Sequence, residues 1–435
     1  MEKTRLYDVE TIDQAVLVVV DPRDNNDVDA NTEELLLLSE SAGVQIVDEM
    51  HVRRQHPDSR FYIGSGNAEE VFLLVQESGA NVVIVGVDLS PTQQRNLGKT
   101  TGVKIVDRTQ LILDIFAQRA RTGEGKIQVE LAQLQYLLPR LTGKGTEMSR
   151  VGGASAGGVA TRGPGETKLE TDRRRVRKRI SILKDELEQV VKHRTTQNKA
   201  RRKLLVPNVA LVGYTSAGKS TLLNLLSGAD VFADAKLFAT LDPTTRRADF
   251  EDGHSILLSD TVGFLHHLPH HLIAAFRATL EEVVEADFLI HVVDISHPYV
   301  ERQCKSVKEV LDELGAQDKP IITVFNKSDK VKDQYSLRKM VADTENSCYM
   351  SALTGEGVQY LMALINKTIT GLSNRIQVIL PYDRGDLLAL CHERGRVIQT
   401  DYRPDGIYVE TELSPELMPR IAQYEYNEDT EQEQE

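Results

Sequence analysis

Gly213-Tyr214-Thr215-Ser216-Ala217-Gly218-Lys219-Ser220 sets two glycines, a lysine and a hydroxyl at the spacing that cradles the phosphates of a nucleotide. Gly213 and Gly218 let backbone N–H groups curl around the α- and β-phosphates, Lys219 reaches towards the β- and γ-phosphates, and the Ser220 hydroxyl is placed to ligate Mg²⁺. Asp260-Thr261-Val262-Gly263 follows. Its carboxylate is expected to anchor a Mg²⁺-bound water and its Gly263 N–H to meet the γ-phosphate. Asn326-Lys327-Ser328-Asp329 supplies a carboxylate able to accept two hydrogen bonds from guanine that adenine cannot give, so GTP is expected over ATP. Ser351-Ala352-Leu353 offers backbone N–H groups for guanine O6. Within Phe238-Ala239-Thr240-Leu241-Asp242, Thr240 is the candidate second hydroxyl on Mg²⁺, carried by a segment that orders with the γ-phosphate.

The chemistry these residues predict is Mg²⁺-assisted phosphoryl transfer from GTP to water, with Lys219, Thr240 and Gly263 acting on the transferred group. Gly263 is followed by Phe264, where many signalling GTPases carry a Gln that orients the attacking water. An apolar ring cannot do that, so unassisted turnover is expected to be slow and to need backbone groups, a partner or a rearranged loop. Packing beneath the switch is the plainer role for Phe264.

The elements that must position these loops are legible from periodicity. Asn208–Val212 reads as a buried strand and Leu222, Leu223, Leu225 and Leu226 as an apolar helix face, so the glycine loop joins strand to helix. Ser255–Ser259 and Ile321–Phe325 read as strands ahead of the next two motifs. Upstream, short apolar runs at 15–20, 44–47, 82–85 and 103–106 alternate with helical patterns, predicting a small parallel α/β domain. Gly64-Ser65-Gly66 resembles part of a phosphate turn but lacks the third glycine and the preceding strand of a dinucleotide site. Downstream of about residue 373, strand, helix, two strands and a final helix suggest a compact unit. The expected fold class is α/β. Its parts are an N-terminal α/β domain at 1–125, a basic antiparallel helical hairpin at 126–204 with a Gly-rich loop at 143–166, a P-loop GTPase domain at 205–372, a small C-terminal α+β domain at 373–424 and an acidic disordered tail at 425–435.

Charge is distributed unevenly. The net charge is −13, yet residues 140–203 carry 18 Lys and Arg against 7 Asp and Glu, so the remainder sums to −24. An acidic chain that concentrates positive charge in one segment is built to meet an anion, nucleic acid first; a solvated helical face is the bland alternative. Leu169, Val176, Ile180, Leu183, Leu187 and Val190 form an apolar seam matching Ile127, Leu131, Leu134, Leu138 and Leu141 on the helix before it. Thr167 and Glu170 predict a capping-box start for a helix of about 55 Å. Between the helices, eight glycines fall within residues 143–165. Arg150, Arg162, Arg173, Arg174, Arg175, Arg177 and Lys178 are the candidate RNA-binding residues.

Other functions find little support. The chain has no run of 18 apolar residues and a charged N-terminus, so a cytoplasmic protein without integral membrane association is expected. Three scattered cysteines suggest neither zinc nor redox chemistry. His266, His267, His270 and His271 stand at helical spacing, but no carboxylate or cysteine completes a metal site there.

Together these motifs resemble the HflX family of ribosome-associated GTPases over nearly the whole chain. Phe238-Ala-Thr-Leu-Asp-Pro-Thr-Thr-Arg246 and, above all, Arg162-Gly-Pro-Gly-Glu-Thr-Lys-Leu-Glu-Thr-Asp-Arg-Arg174 carry the likeness, the latter outside the GTPase domain. The resemblance implies binding of GTP or GDP, association with the large ribosomal subunit and its RNA, dissociation of stalled or idle ribosomes under stress such as heat, and hydrolysis stimulated by the ribosome. A monomer is expected. Members commonly carry Asn where this chain has Ser216, a position associated with K⁺, so K⁺ stimulation is in doubt. Two other readings stay open: a nucleotide-gated ribosome-binding regulator without active splitting, and an RNA-remodelling ATPase with a second nucleotide site in the N-terminal domain.

Overall fold

The computed structural model describes residues 13–21, 28–141, 164–202, 206–228, 237–238, 240–250, 255–266, 269, 280–372, 374–413 and 417–426. Arg150, Arg162, Ala239, His267, His270, His271 and the acidic tail from residue 427 lie outside them. The chain divides into two units: 1–190 with 233–242 and 267–279, and 191–232 with 243–266 and 280–435.

In the first unit, strands β1 (Gln14–Asp21), β2 (Gln45–Arg53), β3 (Val82–Val85) and β4 (Lys104–Asp107) form one parallel sheet in the order β2-β1-β3-β4. Parallel strands need crossovers, and helices α1 (Val28–Ser41), α2 (Ser65–Ser78) and α3 (Pro91–Thr101) supply them. Because such helices cover both faces, β1 and β3 read as unbroken apolar runs; Ala15 to Val19 and Val82 to Val85 are all buried.

Helix α4 (Arg108–Arg119) starts directly at the end of β4, capped by Asp107, whose carboxylate accepts from Gln110 N at 2.9 Å. The same fully buried carboxylate accepts from Leu89 N and from Arg140 Nη2 at 3.1 Å. Arg140 ends α5 (Gly123–Arg140), donates to the Leu89 carbonyl at 2.7 Å and lies 3.4 Å from the centre of the Tyr136 ring. One carboxylate therefore fixes where α5 leaves the sheet.

Helix α6 (Pro164–Arg202) is the long basic element. It begins at Pro164 and not at Thr167, because proline's missing N–H and fixed φ suit the first helical position. At 39 residues it is roughly 58 Å long. Arg179 forks onto Glu130 of α5 through two bonds of 2.7 Å, and Leu183, one turn further along α6, is fully buried.

The second unit holds a six-stranded sheet: β5 (Asn208–Val212), β6 (Thr244–Asp249), β7 (Ser255–Asp260), β8 (Phe288–Asp294), β9 (Ile321–Asn326) and β10 (Ser347–Tyr349). Their order is β10-β9-β8-β5-β7-β6, parallel except for β6. The final strands β11 (Asn374–Leu380), β12 (Gly395–Arg403) and β13 (Gly406–Leu413) make an antiparallel sheet ordered β11-β13-β12, with the helix Gly385–Arg394 against it. The α/β class is the one expected. No described helix is long and apolar enough to cross a membrane.

Removing the Asp107 carboxylate takes away a helix cap and leaves the Arg140 guanidinium, largely shielded from solvent, without its counter-charge. Asp107→Ala is expected to cost on the order of 3 kcal/mol in the unfolding of the first unit, measured by urea titration.

Candidate phosphate- and guanine-binding site

Strand β5 lies between β7 and β8, so its C-terminal end opens beside both; Leu211 is opposite Asp260 and Val212 opposite His291. Open parallel sheets bind ligands at that end, outside the carboxyl ends of the strands. The chain then turns through Gly213 to Gly218 into helix α7 (Lys219–Ser227). Gly218 has φ +98°, and a Cβ there would collide with the Asn326 side chain, so only glycine fits.

Asn326 holds the site together. Its Nδ2 donates to the Ala217 carbonyl at 2.8 Å and its Oδ1 accepts from Ala352 N at 2.9 Å, with 2 % of the residue exposed. This one amide joins the phosphate loop to the Ser351–Leu353 segment. Ser351 is fully buried, with its N–H donated to the Glu356 carbonyl. Lys327, in the left-handed region at φ +64°, pairs with Asp294 at 2.6 Å. Asp329, two residues on, is exposed and open to a base, as is Leu353.

The Asp260 segment is stitched to the phosphate loop along its backbone. Thr261 Oγ1 donates to the Leu211 carbonyl at 2.6 Å, Phe264 N to the Gly213 carbonyl at 3.1 Å, and Thr215 N to the Phe264 carbonyl at 2.9 Å. His266 N donates to the Tyr214 hydroxyl at 2.9 Å. Gly263 passes so close that a Cβ would lie 2.8 Å from Thr215 Cα and 3.1 Å from Lys219 Nζ. Val262 and Phe264 are buried, and the Phe264 ring points into the protein with 1 % exposed.

Lys219 Nζ donates to the carbonyls of Gly213 at 3.1 Å and Tyr214 at 2.8 Å. Burial pulls its ammonium down to about 8, against the opposing pull of the Asp260 charge. Ser220 Oγ donates to Asp260 Oδ2 at 2.6 Å, which places a hydroxyl and a carboxylate oxygen side by side at the start of α7. Ser216 sits at φ +59°, a conformation that Asn adopts more readily than Ser. His291 is buried in β8, and desolvation lowers it to about 4, so it stays neutral.

The structure thus brings together Gly213, Tyr214, Thr215, Ser216, Ala217, Gly218, Lys219, Ser220, Asp260, Thr261, Val262, Gly263, Asn326, Lys327, Ser328, Asp329, Ser351, Ala352 and Leu353 within the second unit. Phe238, Thr240, Leu241 and Asp242 belong to the first. On α6, Arg174, Arg175, Arg177 and Lys178 are exposed and Arg173 is half-buried. Among the described residues no three His, Cys, Asp or Glu side chains gather as a metal site. Sequence reasoning missed the Tyr214 hydroxyl and Asp294 as supports; an acidic residue ending a strand was the signal for the second.

Four family descriptions match successive parts of the chain: "GTP-binding GTPase N-terminal" at 29–117, "GTP-binding GTPase Middle Region" at 119–201, "50S ribosome-binding GTPase" at 208–327 and "HflX C-terminal domain" at 336–422. The chain is 43% identical to GTPase HflX of Caldanaerobacter subterraneus subsp. tengcongensis, over 95% of this chain and 94% of that one. It is 44% identical to GTPase HflX of Lacrimispora saccharolytica, over 96% and 98%, and 43% identical to that of Escherichia coli K12, over 91% and 92%.

A bound polyphosphate favours the charged form of Lys219, so above its pKa binding must take up a proton. Affinity for GDP is expected to be level below about pH 8 and to fall as pH rises through it, read by calorimetry between pH 6.5 and 9.5.

Proposed function

The chain belongs to the HflX family of GTPases, and on that premise we propose that it is a GTP-driven factor of the large ribosomal subunit that dissociates stalled or idle ribosomes under stress. Hydrolysis of GTP is its activity. The observation that carries the wider reading is the pairing of a phosphate- and guanine-binding site built around Asn326 with a long helix exposing Arg174, Arg175, Arg177 and Lys178 on an otherwise acidic chain.

The backbone N–H groups of 213–220, at the start of α7, receive the phosphates, and Lys219 neutralises charge developing on the β–γ bridge. Mg²⁺ suits the donors present. The Ser220 hydroxyl and the Asp260 carboxylate are hard oxygen ligands 2.6 Å apart, the kind this ion takes, and no sulfur or imidazole competes within that pair. Ser220 and Thr240 would hold the ion and Asp260 would anchor it through water; the ion supplies charge neutralisation at the transferred phosphoryl. Gly263 can approach the γ-phosphate because it has no side chain. Phe264 is turned inward and offers the attacking water only backbone, so the ribosome is expected to complete water positioning.

Asp329 accepts two hydrogen bonds from guanine, and the segment Ser351–Leu353 meets O6. Asp329→Ala should weaken GTP binding on the order of 10²- to 10⁴-fold, the value of two bonds to a charged acceptor, without a matching loss for the triphosphate moiety alone. Fluorescent-nucleotide titration measures it; unaltered affinity would remove Asp329 from the base site.

Arg173, Arg174, Arg175, Arg177 and Lys178 of α6 contact the phosphate backbone of ribosomal RNA, as do Arg150 and Arg162. Arg173, Arg174 and Arg175 changed together to Ala should lower large-subunit affinity, flatten its salt dependence by about three counter-ions, and abolish subunit-stimulated turnover while basal GTP hydrolysis persists. Sedimentation with purified large subunits reads the first, phosphate release the last. Retained binding would sink the role of this helix.

A further inference from the structure

On one face of the first sheet, towards the N-terminal ends of its strands, the packing leaves a cavity of about 270 Å³. Its floor follows from strand alternation. Val82 and Ile84 of β3 stand in register with Lys104 and Val106 of β4, so all four side chains rise from the same face. Helix α4 packs on that face and contributes Leu111, Asp114 and Ala117, spaced three apart along one side of the helix. Ala42, just past the end of α1, closes another side, where its carbonyl accepts from Gln118 Nε2 at 3.1 Å. Ala42 and Ala117 are too small to fill the space between them.

Two opposite charges line this apolar hollow without pairing. Among the described residues the Asp114 carboxylate has no hydrogen-bond donor and no ion-pair partner, although the residue is half-buried. Burial pushes its carboxyl above the usual carboxylate range, the Lys104 charge opposes this, and the Asp107 charge adds to it. Lys104 likewise forms no ion pair among the described residues. The other carboxylate at the cavity, Asp13, is already engaged, accepting from Asn81 Nδ2 at 3.0 Å. A half-buried carboxylate without a donor carries a desolvation cost that a ligand's donor would offset.

We propose that this cavity binds a free α-amino acid with a short aliphatic side chain, its ammonium group on Asp114, its carboxylate on Lys104 and its side chain on Val82, Ile84, Val106 and Leu111. The volume lies just below the roughly 300–1,000 Å³ of ordinary small-molecule pockets, which suits a ligand of that size. Charge decides the class. An aliphatic amine would satisfy Asp114 but set a second cation beside Lys104, and a fatty acid would set a second anion beside Asp114. A zwitterion answers both. All these residues belong to the first unit, so the site stands independently of the nucleotide site and of the function proposed for it.

Titration calorimetry of the full chain with L-leucine, L-isoleucine and L-valine tests this. At least one should bind saturably at millimolar concentration or below. For leucine, isoamylamine lacks the carboxylate and isocaproate lacks the ammonium, and each should bind ~10- to 100-fold more weakly, the value of a hydrogen bond to a charged group. Asp114→Asn keeps the shape and removes the charge, so leucine should lose the same factor while isocaproate gains affinity. Lys104→Met should do the reverse, weakening leucine and improving isoamylamine. Ala117→Leu fills the cavity from an exposed helix position and should abolish binding. Urea titration checks that each variant is folded, and Ala42→Val takes the place of Ala117→Leu should that one fail to fold. No saturable binding by any of the three amino acids, binding undiminished when the cavity is filled, or an analogue with one charge binding as tightly as its parent overturns the proposal.

Discussion

The nucleotide site depends on one buried amide. Asn326 donates to Ala217 and accepts from Ala352, so a phosphate loop, the end of β9 and the loop after β10 share one rigid junction. The Ala217 carbonyl and the Ala352 N–H both turn to this one side chain. An unsatisfied buried amide costs more than a made hydrogen bond returns, so the three loops are stable only in mutual register. Gly218 follows from this, because any Cβ there would displace the amide.

The second constraint is the backbone stitching between the phosphate loop and the Asp260 segment. Gly213, Thr215 and Phe264 exchange main-chain hydrogen bonds as adjacent strands do, and Thr261 and Tyr214 add a side-chain bond on either side. A ring buried at position 264 is the natural partner of such a ladder: it fills the interior and leaves backbone alone facing the site. The arrangement supports the proposal that turnover is slow until something outside the site completes it. That matches the proposed dependence on the ribosome.

The first unit meets a different demand. Its parallel sheet is closed by helices on both faces, and the Asp107–Arg140 pair fixes the departure of α5, which receives α6 through Arg179 and Glu130. The surface ion pair contributes little energy by itself, but a two-bond guanidinium–carboxylate fork sets register between two long helices. Arg174, Arg175 and Arg177 of α6 are exposed, a placement suited to a large anionic partner.

Much of this was legible in the sequence, since local signals dominate wherever glycine, a strand and a charged side chain must follow one another at fixed spacing. The four strands of the first sheet, β5, β7 and β9 of the second, the glycine loop with Lys219 and Ser220, and the basic helix all announce themselves by period, spacing or charge, whereas β6 and β8 were not read. The start of that helix at Pro164 was misread because a capping-box pattern at Thr167 and Glu170 competes with the simpler preference of proline for a first turn. Tertiary structure alone decided that Asn326 binds two loops, that Tyr214 steadies the switch, and that Asp242 caps a helix some 120 positions earlier in the chain. Hydrogen bonds between segments distant in sequence leave no periodic trace. They depend on which loops the sheet order brings to one edge, and that order is a property of the folded chain.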